Sequence, residues 1–346
     1  MQKILTIIIP TYNAESFLDK GLPTFIMDNE HRMEQLEVLI INDGTSDGSV
    51  EVAQKYVDQY PNTFSIINKE NGGHGSAINV GVEHAAGKYF KVVDADDWVD
   101  TEVLQDLLHI LETEEFEAML SSYVTYDISK DEYETRAIKV RNDGRLYNMG
   151  ELMDMWEDAY HGFCFHGVLY NTEFYKKQNY KLEEKVFYED QEYATVPLSK
   201  ASRIRIYKKA LYIYRIGDVN QSVSIKSQLS RLDHFEKVLF KMLDYEPQTD
   251  MLPAGGKAYW LRKTSKFVAD IYMVCLVKNP DKKDKRAYVK DLNARIAAKS
   301  PAIASIVKRK YLAFCILNKL HINEDSFSNA LRWGKRVLHV ERLYND

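Results

Sequence analysis

Cysteine is scarce in this chain: three residues in 346, at Cys164, Cys275 and Cys315. They are scattered without metal-ligand spacing, which reads as reduced thiols in a cytosol. No apolar run approaches the roughly 20 residues that a bilayer-spanning helix needs. The most apolar helical stretch, Phe267–Val277, is interrupted by Asp270, and the opening run Ile4–Ile9 is too short and too β-branched for a signal segment. Positive charge is not in excess either. A formal net charge of −5 and a pI near 6.0 argue against an extended nucleic-acid surface. Internal repeats and low-complexity tracts are missing. These absences leave a soluble, cytoplasmic protein with ample chain for a core, as two domains or as one large domain with an extension. Tyrosine, in contrast, is abundant at 23 residues, which suits sites that stack on rings and hydrogen-bond hydroxyls.

The first hundred residues alternate strand and helix. Apolar runs at Ile4–Ile9, Leu36–Ile41, Thr63–Ile67 and Lys88–Val93 predict strands. Between them, Phe17, Leu18, Leu22, Phe25 and Ile26, then Val50, Ala53, Tyr56, Val57 and Tyr60, then Ile78, Val82 and Ala85 follow the 3.6-residue period. Pro23 confines or kinks the first helix, and Gly87 sits where a C-cap glycine would. This alternation implies a parallel sheet with right-handed crossovers, whose ligand lies beyond the C-terminal strand ends. All four ends are polar: Pro10–Thr11–Tyr12–Asn13, Asn42–Asp43–Gly44, Asn68–Lys69–Glu70–Asn71–Gly72–Gly73 and Asp94–Ala95–Asp96. A binding cleft is therefore expected along that edge.

Further on, Val103–Leu111 marks a helix and Glu117–Tyr126 a strand, and charged, turn-rich sequence fills 127–150. Strand-like runs return at Arg203–Tyr207 and Ala210–Arg215. From about Gln228 the pattern is helical, with segments near 228–244, 257–278, 284–298, 301–319 and 324–337.

Within this frame, the segment Lys91–Val92–Val93–Asp94–Ala95–Asp96–Asp97–Trp98 carries the most chemistry. An apolar strand stops at carboxylates spaced i and i+2, with a third at once after them. Crowded like charges call for a cation or for donors, and hard divalent ions take one or two carboxylates plus substrate phosphates. Tyr12 offers a ring face for a base, or simply covers a helix start. Asp43 accepts from a base N–H, or caps the helix beginning near Ser46–Asp47. The loop Asn71–Gly72–Gly73–His74–Gly75–Ser76 lets backbone approach a ligand before a helix N-terminus, although it lacks the spacing of a dinucleotide fingerprint or a P-loop. Glu189–Asp190 offers a base for an acceptor hydroxyl, or acidic residues at a helix start. Tyr214–Arg215 and Asn220–Gln221–Ser222–Val223–Ser224 offer donors to a diphosphate, or form a polar loop.

Together, Ile7–Asn13, Asn42–Ser49, Asn71–Gly73, Asp94–Asp97 and Glu189–Asp190 stand in the order and spacing of family 2 glycosyltransferases, which this chain resembles over residues 4–100 and more weakly over 160–225. The resemblance implies an α/β GT-A fold, Rossmann-like, with a mostly parallel sheet flanked by helices and an all-helical C-terminal extension. The division would fall at 1–225 and 226–346. It also implies inverting transfer of a sugar from a nucleotide diphosphate-sugar, a UDP-hexose or UDP-N-acetylhexosamine, to a hydroxyl of a glycan, glycolipid or glycoprotein, with Mn²⁺ or Mg²⁺. Pro10, Thr11, Tyr12, Asn13, Asp43, Asn71, Gly72, Asp94, Ala95, Asp96 and Arg215 would line the donor site. Thr11, Tyr12 and Asp43 would hold the base, Asp94 would meet ribose or sugar, and Asp96 of this DXD motif would bind the metal. Asp190 would be the general base, with Glu189 orienting the acceptor or the base, and Asp97 is left as a bystander.

One departure stands out. Many relatives carry Ala-Arg-Asn in the third helix, whereas this chain has Ala77–Ile78–Asn79, so a positive contact is missing that Lys69, His74 or Arg215 would have to replace. Two other readings stay open, a sugar nucleotidyltransferase and a non-catalytic nucleotide-sugar- or glycan-binding scaffold. The first would call for a basic Gly-rich loop after the first strand, and Pro10–Asn13 supplies none. Basic residues Lys308–Arg309–Lys310 and Arg332, Lys335 and Arg336, interleaved with Leu331, Trp333, Val337 and Leu338, read as a solvated face, a subunit surface, or a contact with the inner face of an anionic membrane.

Overall fold

The computed structural model describes residues 2–141, 144–218 and 224–322. The chain divides into two compact units. One comprises Met1–Val219 and Met251–Lys257; the other takes Asn220–Asp250 and the described residues from Ala258 onward.

The strands of the first unit are β1 (Leu5–Thr11), β2 (Leu36–Asn42), β3 (Phe64–Asn68), β4 (Tyr89–Val92), β5 (Trp98–Val99), β6 (Ala118–Asp127), β7 (Glu132–Arg136), β8 (Leu146–Tyr147), β9 (Val168–Asn171) and β10 (Ile204–Ile216). Its helices are α1 (Glu15–Gly21), α2 (Glu30–Gln35), α3 (Ser49–Gln59), α4 (His74–His84), α5 (Thr101–Thr113), α6 (Met149–Asp154), α7 (Trp156–Ala159), α8 (Thr172–Lys177) and α9 (Asp190–Ser199). The sheet order is β3-β2-β1-β4-β9-β6-β10-β5, with β7 on β6 and β8 on β10. β3, β2, β1 and β4 are mutually parallel, as are β6 and β10, whereas β9 and β5 run against their neighbours.

The local causes are legible. Every residue of β1 is buried, as expected for a strand covered on both faces. α4 lies against β1 because residue 81 is glycine: a Cβ there would stand 2.3 Å from Ile8 Cγ2. Pro23 sits at the start of a 3₁₀ turn, Leu22–Phe25, so α1 ends at Gly21. α5 is capped by Asp100, whose side chain accepts from Val103 N–H.

Three expectations are corrected, and one strand is added. Gly87 is not the C-cap of α4, which is Ala85; instead a Cβ at 87 would lie 2.5 Å from Thr6 N, so this glycine admits the β1 backbone. The 127–150 stretch is not all turn, since β7 and β8 lie in it. Val168–Asn171, which has no strand signature of its own, forms β9 between β4 and β6. The runs before and after Lys208–Lys209 are one strand, β10, with a register irregularity between Tyr207 and Tyr212.

The second unit contributes α10 (Ile225–Ser230), α11 (Leu232–Asp244), α12 (Gly256–Met273, beginning in the first unit), α13 (Arg286–Lys299) and α14 (Pro301–Lys319). Its core includes Leu239, Trp260, Ile271, Leu292 and Ile303. Among the described residues no helix is long and apolar enough to cross a membrane. The segment read as helical near 324–337, with its basic residues, lies outside the described residues, as do 219–223.

Candidate active site

The polar ends of β1, β2 and β3 are tied to one another. Asn13, in the left-handed region at φ 49°, accepts through Oδ1 from Thr45 Oγ1 at 3.0 Å and Ser46 N at 3.0 Å. The Asp43 carboxylate is buried and holds the loop after β3: Lys69 Nζ donates at 2.6 Å, Gly72 N at 2.9 Å and Gly73 N at 2.8 Å. Asn71 Nδ2 donates to the Asp43 carbonyl at 2.9 Å. Asp43 caps no helix, since α3 has Gly48 at its N-cap and no side-chain cap. Against the cost of burial, Asp47 is held down to about 2 by the Ser49 and Thr45 hydroxyls and by Glu15 and Ser49 N–H groups. Thr11 is buried, and its hydroxyl donates back to the Ile9 carbonyl at 3.1 Å, as Pro10 beside it is buried in β1. Tyr12 is 54 % exposed. Of the residues expected around a base, the structure thus leaves the Tyr12 ring open and commits Thr11 and most of Asp43 to the scaffold.

The glycines of the loop after β3 admit other parts of the chain. A Cβ at Gly75 would meet the Glu183 carbonyl at 2.3 Å and Glu189 Cγ at 2.9 Å, and one at Gly73 would meet Lys185 N at 3.1 Å. Lys185 N donates to the Gly72 carbonyl at 2.7 Å, and buried Asn79 exchanges two bonds with the Leu182 backbone. These small residues let the segment before α9 lie against the start of α4. His74, the first residue of α4, bonds Glu189 Oε1 through Nδ1 at 2.5 Å and Asp94 Oδ1 through Nε2 at 2.8 Å. Burial opposes charge on this ring, but Asp94 and Glu189 overcome it and hold the imidazolium well above the usual histidine range. Glu189 is 3 % exposed, its Oε2 has no partner, and the residue before it, Tyr188, holds φ at 75°.

At the end of β4 the three aspartates separate by environment. Asp97 is buried: Tyr212 Oη donates to its Oδ2 at 2.5 Å and Arg215 N to its Oδ1 at 2.7 Å. Burial, with Asp94 and Asp96 nearby, pushes its carboxyl well above the usual range. It is no bystander but the pin between this turn and β10. Asp96 faces outward with its side chain 38 % exposed; burial of its surroundings and the charge of Asp94 push it up to about 6, and Arg215 Nη1 lies 3.9 Å away. Ala95 sits half-buried between them.

The two acidic stretches meet at His74, whose ring joins Asp94 to Glu189, the residue before Asp190. Close by, the Tyr214 hydroxyl is raised by burial and then by the charges of Asp97, Asp94, Asp190 and Asp96. Asp190 opens α9 and accepts from its neighbour Gln191 at 3.0 Å. His166 stacks on Tyr214 with ring centroids 4.0 Å apart, and burial takes it down to about 4, a neutral ring. Buried Lys91 donates to the carbonyls of His166 and Val168, and burial takes it down to about 7. The sequence reading missed Tyr212, His166 and Lys91, although Tyr212 and Tyr214 share a strand face at i and i+2.

Among the described residues, Asp94, Asp97 and His166 offer ligand atoms within 4.8 Å of one another. Both Asp97 oxygens already accept hydrogen bonds. Asp96 suits a divalent ion better: its side chain is 38 % exposed, and Arg215 Nη1 stands 3.9 Å from its carboxylate.

A mixed, mostly parallel sheet with a nucleotide-type edge, an acidic strand end after the fourth strand and a carboxylate opening a later helix defines a glycosyltransferase of the GT-A fold. The chain belongs to glycosyl transferase family 2, whose model matches residues 6–178. It is 25 % identical over 241 residues to the uncharacterized glycosyltransferase EpsJ of Bacillus subtilis, a match covering 68 % of each chain. It is 25 % identical over 284 residues to the glycosyltransferase GlyA of Streptococcus pneumoniae, covering 76 % of this chain and 40 % of that longer protein. In fold it resembles S. aureus TarS 1–349, solved in complex with UDP-GlcNAc, with a TM-score of 0.66 at 16 % identity over 94 % of this chain and 92 % of the other.

Proposed function

We propose that this glycosyltransferase moves a sugar from a UDP-linked donor to an acceptor hydroxyl with inversion, Asp190 serving as base. The observation that carries this reading is that the two acidic stretches meet: the His74 ring bonds Asp94 at 2.8 Å and, at 2.5 Å, Glu189, the residue before Asp190. A base must lie within hydrogen-bond reach of the hydroxyl proton it removes, so it belongs beside the donor.

The Tyr12 ring stacks the base. A carboxylate has about four acceptor sites, and three donors already use Asp43, so one remains for a base N–H. Asn13 and Asn71 shape that pocket through their side-chain bonds, and Gly72 through its N–H. Asp94 meets the ribose or the sugar, and Arg215 lies beside Asp96 to face the diphosphate. Asp96 would hold Mn²⁺ or Mg²⁺, which when bound supplies positive charge to the leaving diphosphate. Asp190 takes the acceptor proton, and Glu189 orients the acceptor or the base.

Incubation with a panel of UDP-sugars, followed by UDP release and by the anomeric configuration of the product, tests the proposal. Acceptor-stimulated UDP release with an inverted product supports it; a retained configuration, or no release from any UDP-sugar, overturns it. Asp96→Ala should lose the Mn²⁺-dependent part of UDP affinity, and unaltered affinity in that variant removes the metal assignment.

For the second unit we propose contact with an anionic membrane. α14 carries four Lys or Arg and no acidic residue, and its outer face exposes Ile306, Leu312, Ile316 at 57 % and Leu320 at 64 % beside Arg309 and Lys308. Pairing this face with a second copy would bring like charges together. The full chain should co-sediment with phosphatidylglycerol vesicles and not with phosphatidylcholine; equal behaviour toward both removes this contact.

A further inference from the structure

His74 occupies a position for which the chemistry above gives no reason. Its ring lies between two carboxylates from different parts of the chain: Asp94 at the end of β4 and Glu189 just before α9. A carboxylate offers acceptors only, and a neutral imidazole has one N–H. Two such bonds at once therefore make the ring a doubly donating imidazolium. The surroundings are arranged to allow it. Gly75 has no Cβ where Glu189 Cγ would be 2.9 Å away, and the Phe165 ring packs on His74 with centroids 5.7 Å apart and on Tyr193 of α9 at 5.3 Å. Glu189 itself is nine-tenths buried or more, with one oxygen spoken for by His74 and the other unpartnered.

We propose that His74 is a positioning residue that cross-links the donor end of β4 to the first turn of α9, so that the placement of Asp190 depends on Asp94. This rests on the reading of Asp94 as a donor contact and Asp190 as the base. The link gives the missing third-helix arginine a local substitute: the cation between the two acidic stretches comes from the first residue of α4 rather than from position 78, which is Ile. Its role is geometric. Asp190 follows Glu189 directly, so any freedom of Glu189 is inherited by the base, and a misplacement of about 1 Å can cost on the order of 10²-fold in rate. His74 need not touch the substrate to have that effect.

The test uses the full chain as His74→Gln and as Glu189→Gln, which break the same link from its two ends. Amide hydrogen exchange reads the link without any activity. Exchange over the first turn of α9 should quicken in both variants while the strands β1 and β2 stay protected, and unchanged exchange in both overturns the proposal. Kinetics with a UDP-sugar and an accepted acceptor should then show kcat lower by roughly 10–100-fold in His74→Gln with donor and acceptor KM within about threefold. A rise in either KM that accounts for the whole loss, with kcat intact, overturns the positioning role. If the wild-type chain releases no UDP from any UDP-sugar while the exchange pattern is as expected, the transferase reading fails and the cross-link stands.

Discussion

Tyr212 Oη donates to Asp97 Oδ2 at 2.5 Å and accepts from Asp94 N at 3.1 Å, so one phenol joins β10 to both ends of the acidic turn after β4. The turn is consequently not a solvated end of a strand. Its shape is set from a neighbouring part of the sheet, and Asp96 is the member left facing outward.

Removal of that hydroxyl should be felt in stability before it is felt in binding. Tyr212→Phe leaves buried Asp97 with Arg215 N as its remaining described donor and should cost about 1–3 kcal/mol, the range for a buried polar group losing its partner. Urea unfolding measures it. In a double-mutant cycle with Asp97→Asn the two losses should not add, because both remove one interaction.

The second strand end makes a different prediction. Asp43→Ala frees the N–H groups of Gly72 and Gly73 and the Lys69 ammonium together, and should destabilise the chain by about 2–4 kcal/mol in the same assay. Asp43→Asn keeps one acceptor oxygen and should lie between Ala and wild type. If the residue only touched a base, both variants would unfold like wild type and lose nucleotide affinity alone.

The charge on His74 predicts how stability depends on pH. Its value in the folded chain is raised by Asp94 and Glu189 over the opposing effect of burial, so the contribution is fully present below about pH 6.5, the ordinary histidine value. It is lost as pH rises through the raised folded value. The difference in Tm between wild type and His74→Gln should therefore be largest near pH 6 and shrink on the alkaline side. A difference that grew with pH would mean that the ring is neutral in the folded protein.

Much of the first hundred residues was legible because each parallel strand is a β-branched run ending at a polar group, as in Ile7–Ile8–Ile9 before Thr11 and Val92–Val93 before Asp94. The buried central strands carry that signal by themselves. β7, with the sequence Glu132–Arg136, is polar and held by β6, and β9 is four residues long, so pairing rather than composition makes them strands. The site divides in the same way. Asp94, Asp96 and Asp190 stand at element ends, where spacing marks them. Tyr212, His166 and Lys91 act through contacts between residues far apart in the chain, as Lys91 does with the His166 carbonyl and Tyr212 with Asp97, and a linear pattern does not carry those. Gly75 shows the same limit: a glycine needed for close approach says nothing about whether a ligand or the protein itself approaches.

If Asp190 is the base that activates the acceptor, Asp190→Asn is the variant that shows it. The substitution keeps size and polarity and removes the proton acceptor. UDP affinity should stay within about threefold of wild type, while sugar transfer at saturating donor and acceptor should fall by roughly 10²–10⁴-fold, the range for a positioned general base. Turnover within tenfold of wild type would contradict the account and would send the search for the base elsewhere in the cleft.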